Sequence, residues 1–293
     1  MAAMNYRHAF HAGNFADVLK HAVLALVLRH LNRKDSAYRV IDTHAGIGLY
    51  DLGGDQANRT GEWRDGIGRL GEASFSAGAA ERLAPYLDVV QAVRAEAGPG
   101  AYPGSPEIVR RMIRRQDRLV AVEKHPEDFA LLSEALGRDR RAKAIALDGW
   151  TALRAYVPPV EKRGLVLVDP PFEEPGEFER MGRAVAAAWR KWPTGIYMLW
   201  YPVKQDADGD ALERLLTGAG VAKRLRVELA VRPPGPESRL RGSGLLIVNP
   251  PWTLDADLRL LLPELGRVLV QDGRASWRCE TPPDRPDDAR SVD

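Results

Sequence analysis

Short apolar runs, most of them ending at an acidic, amide or aromatic residue, recur along the chain, at 38–42, 118–123, 142–148, 164–169, 195–201, 223–231 and 243–249. Each has the length of a strand. Helix-length segments separate most of them, which is the pattern of βαβ units in a parallel sheet. The last two runs differ, because only RPPGPESRLRG lies between Val231 and Ser243. A Pro- and Gly-rich loop without apolar periodicity joins antiparallel neighbours rather than parallel ones. Ahead of the first run, Asn14 to Leu31 has helical periodicity, with Val18, Leu19, Ala22, Val23, Leu26 and Val27 on one face.

Seven strands with an antiparallel last hairpin predict an α/β fold with a mostly parallel, Rossmann-like sheet of the methyltransferase kind rather than the dinucleotide kind. The interval from Leu49 to Asp117 is longer than one crossover helix requires. It holds an apolar-periodic stretch over Glu81 to Ala95 and a Gly/Pro-rich return, AGPGAYPGSP. Residues 50–104 therefore read as a small helical insertion subdomain, with 5–49 and 105–279 forming the main domain. From Glu280 the sequence ETPPDRPDDARSVD is polar and Pro-rich, which predicts a disordered tail over 280–293.

Composition narrows the class. With 45% apolar residues in 293, the chain can bury a substantial core, so disorder of the whole chain is excluded. No apolar run reaches the roughly 20 residues of a membrane helix, and MAAMNYRHAF lacks the apolar core of a secretion signal. A cytoplasmic monomer is the expectation, with no membrane partner. A single cysteine, Cys279, forms no internal disulfide and seeds no zinc cluster. His8, His11 and His21 lie near one another in sequence, but without cysteines or a settled carboxylate they read as ligand or backbone contacts, with no metal expected. The net charge of +2 announces no nucleic-acid partner. Two basic clusters, Arg110 to Arg118 and Arg138 to Lys143, read first as solvated faces.

Candidate chemistry follows from where the runs end. In an open parallel sheet ligands bind outside the carboxyl ends of the strands. The first run ends in DTHAGIG (Asp42 to Gly48), whose small residues admit a ligand to the backbone. Leu49 and Tyr50 follow, so it is not a nicotinamide or flavin fingerprint. The second ends in Glu123, placed to accept from both hydroxyls of a ribose. The third ends in Asp148-Gly149, placed to take the amino group of an adenine. Either acid alone reads as a strand terminus or helix cap; the ordered series implies an adenosyl ligand.

The fourth run ends in Asp169-Pro170-Pro171-Phe172. An adenine amino group is a poor nucleophile because its lone pair is delocalised into the ring. Hydrogen bonds from its two N–H groups to the Asp169 side chain and the Pro170 carbonyl favour tetrahedral geometry and disperse the developing charge. The two prolines fix the backbone, and Phe172 can stack on a flipped base. A sulfonium methyl donor, S-adenosylmethionine, suits this chemistry. The near copy Asn249-Pro250-Pro251-Trp252 ends the antiparallel strand. It should point to the opposite sheet edge as a structural turn, with Trp252 packed.

NYRHAFHAGNFADVLKH (Asn5 to His21), DTHAGIG, YPGSP (Tyr102 to Pro106), DPPFE, LWYPV (Leu199 to Val203) and SGLLIVNPPW (Ser243 to Trp252) together resemble the J family of bacterial 23S ribosomal RNA adenine-N6 methyltransferases, class I enzymes that use S-adenosylmethionine. The resemblance covers nearly the whole chain. It implies methylation of N6 of one adenine in 23S rRNA on a Rossmann-like domain with a helical insertion. The cofactor contacts it implies fall on Lys20, His21, His44, Ser105, Glu123, Asp148, Gly149 and Asp169. It implies a catalytic role for Asp169 and a substrate role for Tyr6. The aromatic after the prolines is often Tyr in the family and is Phe172 here, which keeps stacking and drops the phenol.

Plainer readings stand beside these. Ser105-Pro106 is also a good helix start, with Ser as N-cap. Tyr6 on its own is a packing residue, and Trp200 and Tyr201 read as core. Two other functions compete: a DNA adenine-N6 methyltransferase using the insertion for target recognition, and a non-catalytic RNA-binding module on the same fold.

Overall fold

In a computed structural model that describes residues 7–235 and 240–282, ten strands form. They are β1 Arg39–Asp42, β2 Leu49–Asp51, β3 Ala101–Pro103, β4 Arg118–Glu123, β5 Ala142–Ala146, β6 Gly164–Val168, β7 Ile196–Val203, β8 Arg224–Ala230, β9 Gly242–Val248 and β10 Ser276–Glu280. Eight make one sheet in the order β10-β8-β9-β7-β6-β1-β4-β5. β5, β4, β1, β6 and β7 are mutually parallel, and β9 runs antiparallel to both β7 and β8.

The seven anticipated strands are present, with β9 antiparallel as expected, but the sheet has one more. β10 pairs antiparallel with β8. Its sequence, SWRCE, carries three polar positions in five and gives no apolar run to detect. It ends on Glu280, where the tail was expected to begin; residues 283–293 of that expected tail lie outside the described residues. A second sheet, the antiparallel pair β2-β3, draws together the two ends of the 50–104 segment.

Alternating strand residues feed two apolar layers. Leu165 and Leu167 face one and Val166 and Val168 the other. On the second layer lie the helices Gly149–Tyr156, Glu177–Lys191 and Asp208–Gly218, through Leu153, Met181, Val185, Leu212 and Leu216. The first layer holds the helix Phe15–Leu31, capped by Asn14, whose Oδ1 accepts from the Ala16 and Asp17 N–H groups at 2.9 and 3.0 Å. This helix is buried on nearly all its circumference, not on one face. The helices Ala77–Ala97 and Leu254–Leu269 close over its outer side, and a helix covered all round carries apolar residues all round.

NPPW lies at the edge opposite the carboxyl ends of the parallel strands. Asn249 donates from Nδ2 to the Pro193 and Gly195 carbonyls at 2.8 and 2.7 Å, and its N–H reaches the Lys223 carbonyl at 2.8 Å. These residues precede β7 and β8. Trp252 is not packed as anticipated; it is 78% exposed, with the Arg33 guanidinium 5.5 Å from its ring centre. Because Asn249 sits at φ 52°, Asn249→Gly keeps the backbone unstrained and removes only the side-chain bonds. Its loss of two hydrogen bonds should cost about 1–3 kcal/mol in urea unfolding; an unchanged midpoint would show that the turn does not anchor this edge.

Candidate active site

The parallel register of β1, β4, β5 and β6 carries their carboxyl ends to one edge of the sheet. A cavity of about 460 Å³ opens there. Its walls include Lys20, His21, His44, Gly46, Ser105, Glu123, Asp148, Gly149, Asp169, Pro170 and Pro171. Ten of the residues singled out in the sequence therefore share one cavity with Gly46, although they come from six separate stretches of chain.

The turn after β1 brings the backbone close to this space. Gly46 has φ +60°, and its N–H donates to Glu123 Oε2 at 3.0 Å; the other oxygen, Oε1, accepts from the His125 N–H at 2.8 Å. Burial raises the Glu123 carboxyl above its ordinary range, against the pull of these two backbone donors. Asp148 caps the helix Gly149–Tyr156, with Oδ2 accepting from the Thr151 N–H at 2.9 Å. A β-carbon at Gly149 would stand 2.3 Å from the Thr43 carbonyl oxygen, so only glycine permits this approach of helix to turn.

His44 hydrogen-bonds through Nδ1 with Thr43 Oγ1 at 2.8 Å and meets the Trp150 ring edge-on at 5.2 Å. Burial lowers its pKa to about 4, so the ring is neutral near pH 7. His21, also lowered by burial, to about 3, shares a hydrogen bond with the Tyr102 hydroxyl at 2.8 Å, which in turn meets the Tyr86 hydroxyl at 2.9 Å.

Lys20 sits at the centre. Its Nζ is 2.6 Å from Asp169 Oδ2 and 2.9 Å from Asp17 Oδ1, with 4% of the residue exposed. Burial disfavours the ammonium, yet the Asp169 and Asp17 carboxylates hold its pKa well above the lysine range. Asp17 is equally buried. Burial alone would raise its carboxyl, but His8, Lys20 and His21 around it hold it well below the ordinary range.

Past Asp169 the chain turns sharply, with Phe172 at φ 51°, a conformation that costs an aromatic residue energy. Phe172 packs against Phe178 (4.8 Å between ring centres) and edge-on against Trp200 (5.8 Å). It is not among the cavity walls. Trp200 is half-buried and donates to Ser243 Oγ at 2.9 Å; Tyr201 is fully buried and donates to Glu228 Oε1 at 2.7 Å.

The sequence matches this architecture to a known group. A family model described as "Ribosomal RNA large subunit methyltransferase D, RlmJ" matches residues 35–280. The chain belongs to that family. It is 40% identical to Ribosomal RNA large subunit methyltransferase J of Escherichia coli over 270 residues, 92% of this chain and 95% of that protein. The protein of the same name from Haemophilus influenzae is 36% identical, over 94% of this chain and 98% of its own length. A crystal structure of a Legionella pneumophila protein superposes with a TM-score of 0.83 at 33% identity, covering 92% of this chain and 98% of the other.

Several placements differ from the sequence reading. Ser105 is the first residue of the helix Ser105–Met112 rather than its cap, and Gly104 takes the cap position. The Ser105 hydroxyl donates to Asp42 Oδ2 at 2.6 Å. Tyr6 lies outside the described residues. The first basic cluster is largely paired within the fold, Arg110 and Arg111 with Glu107 and Arg114 with Asp117, as is Arg141 with Asp139 in the second. Asp17 was missed altogether. Its signal was present as spacing, since Asp17 stands three and four residues before Lys20 and His21 on one helix.

Asp42, at the end of β1 and wholly buried, was also not singled out. Burial pushes its carboxyl up to about 7, with Asp169 adding and the Ser105 and His44 hydrogen bonds opposing. A carboxyl that keeps its proton when folded, but releases it near 3.8 when unfolded, makes the fold less stable as pH rises through that interval. Relative to wild type, Asp42→Asn should therefore gain stability progressively from pH 4 to 7 and level off above it, measured as urea midpoints. A difference that does not vary with pH would refute this account.

Proposed function

We propose that this protein methylates N6 of an adenine in 23S rRNA, using S-adenosylmethionine bound in the cavity at the carboxyl ends of β1, β4, β5 and β6. The observation that carries the reading is the convergence of Glu123, Asp148 and Asp169-Pro170-Pro171 on one cavity. The residues suit the group. Glu123 and Asp148 are among the seven acidic residues that line the space, the Gly46 and Gly149 backbones border it without side chains, and its volume falls in the range of ordinary cofactor sites.

Glu123 is placed for ribose hydroxyls and Asp148-Gly149 for an adenine ring, while His44, Ser105, His21 and Lys20 form part of the remaining wall. When bound, S-adenosylmethionine supplies a methyl group on a sulfonium for direct transfer to an amine. Asp169 Oδ2 is already engaged by Lys20, which leaves Oδ1 and the Pro170 carbonyl as acceptors for the two N–H groups of the target. Their role is to orient the amino lone pair and to stabilise charge that appears on nitrogen during transfer. The Lys20 ammonium fixes the Asp169 carboxylate in place as a hydrogen-bond acceptor. Phe172, braced by Phe178 and Trp200, is the ring offered for stacking on the extruded base. The family resemblance adds Tyr6 as a substrate contact.

Membership of a ribosomal RNA methyltransferase family favours RNA over DNA as the polymer, and such a substrate implies work in the cytoplasm. Adenines in loops or helix ends are extruded at lower cost than paired ones. Asp169→Ala should lower the rate of methyl transfer to a 23S rRNA transcript by about 10²-fold or more, while calorimetry still detects S-adenosylmethionine binding. Mass spectrometry of the product should locate the methyl group on N6 of adenine. Full-rate methylation by this variant would refute the assigned role of Asp169.

A further inference from the structure

The cavity itself is a poor place to attract RNA. Seven of its wall residues are Asp or Glu and three are Lys or Arg, so the sugar-phosphate backbone has to be held by another surface. One basic surface starts at the cavity and leads away from it. In the helix Glu177–Lys191, Met181, Val185 and Ala188 are buried against the sheet. Positions 180, 183, 190 and 191 fall together within about 100° of arc on the opposite side. All four are Arg or Lys and all are exposed; exposed Glu179 lies at the margin of the arc.

Arg180 is a cavity wall residue, its guanidinium 5.2 Å from the Trp150 ring centre, with Glu174 and Glu177 each at 3.8 Å. From Arg180 to Arg190 the helix advances about 15 Å at 1.5 Å per residue. Beside it lies the helix Gly149–Tyr156, whose exposed Arg154 is held to the same surface, since Lys191 Nζ donates to the Arg154 carbonyl at 3.3 Å. Among the described residues, Arg154, Arg183 and Arg190 take part in no ion pair. This separates them from Arg110, Arg111, Arg114 and Arg141, whose charge is met within the fold.

We propose that Arg154, Arg183, Arg190 and Lys191 form a track for the backbone of the RNA that flanks the target base, running from Arg180 at the cavity along the outer face of the helix Glu177–Lys191. Unpaired, exposed guanidinium groups aligned on rigid helices bind phosphates in succession and read no base sequence. The proposal rests on the reading of RNA as substrate, and adds where that RNA lies.

The test compares full-length wild type with the triple variant Arg154→Ala, Arg183→Ala, Arg190→Ala, and with a control triple Arg138→Ala, Arg140→Ala, Lys143→Ala that removes the same charge elsewhere. Binding of a 23S rRNA transcript is measured by fluorescence anisotropy over a range of salt, and methyl transfer is scored separately. The track variant should bind at least ten-fold more weakly, with a salt slope flatter by about two, since each lost phosphate contact contributes about 0.7–0.9. Its kcat at saturating RNA should stay within two-fold of wild type, and the control should bind almost as wild type does. Equal binding by the track variant and wild type, or an equal loss in the control, overturns the track. A wild type that binds the transcript without methylating it overturns the substrate reading alone, and one that does not bind it overturns both.

Discussion

A buried ammonium organises this molecule. Lys20 lies almost out of reach of solvent between the carboxylates of Asp17 and Asp169, and a charge in that position is tolerated only when partners replace the water it has lost. One partner comes from the same helix and the other from the end of β6, 149 residues later. The contact therefore ties the first helix to the sheet at the point where DPPF begins. It also demands cover. The helix Ala77–Ala97 and the ribbon β2-β3 provide it, and the buried hydroxyls of Tyr86 and Tyr102 continue the polar contacts outward from His21. The 50–104 segment shares one apolar core with the first helix, through Leu83, Tyr86, Val89 and Val93.

The same arrangement explains how acidic the cavity is. Glu123 at the end of β4, Asp148 after β5 and Asp169 after β6 line it, and each carboxylate is met locally by backbone N–H groups or by Lys20. A polyanion gains nothing there. In the proposed function, ligand chemistry belongs to the strand ends and polymer attraction to the outer faces of helices, and Arg180 stands where they meet.

Much of the fold was legible from the chain because its signals are local. Apolar runs marked seven strands, and the short loop after Val231 marked the antiparallel pair. That pair decided between two similar tetrapeptides, since β9 carries Asn249 to the edge opposite Asp169. β10 escaped notice because an edge strand of alternating polar residues has no apolar signature. The first helix was read as one-sided, since a sequence pattern does not reveal how many neighbours cover a helix.

By itself, the sequence determined which residues end the strands, and therefore the order glycine turn, Glu123, Asp148, Asp169. The N-terminal motif, with three histidines and one lysine, was visible as well, but not its partners. Only the tertiary structure decided that Lys20 would pair with Asp169, that Asp17 would stand beneath both, and that Asp42 would hold the Ser105 hydroxyl. It also decided which arginines are neutralised and which remain free. Strand and helix identity follows from neighbours a few residues apart, whereas ion pairing and burial depend on side chains that approach only when distant segments pack.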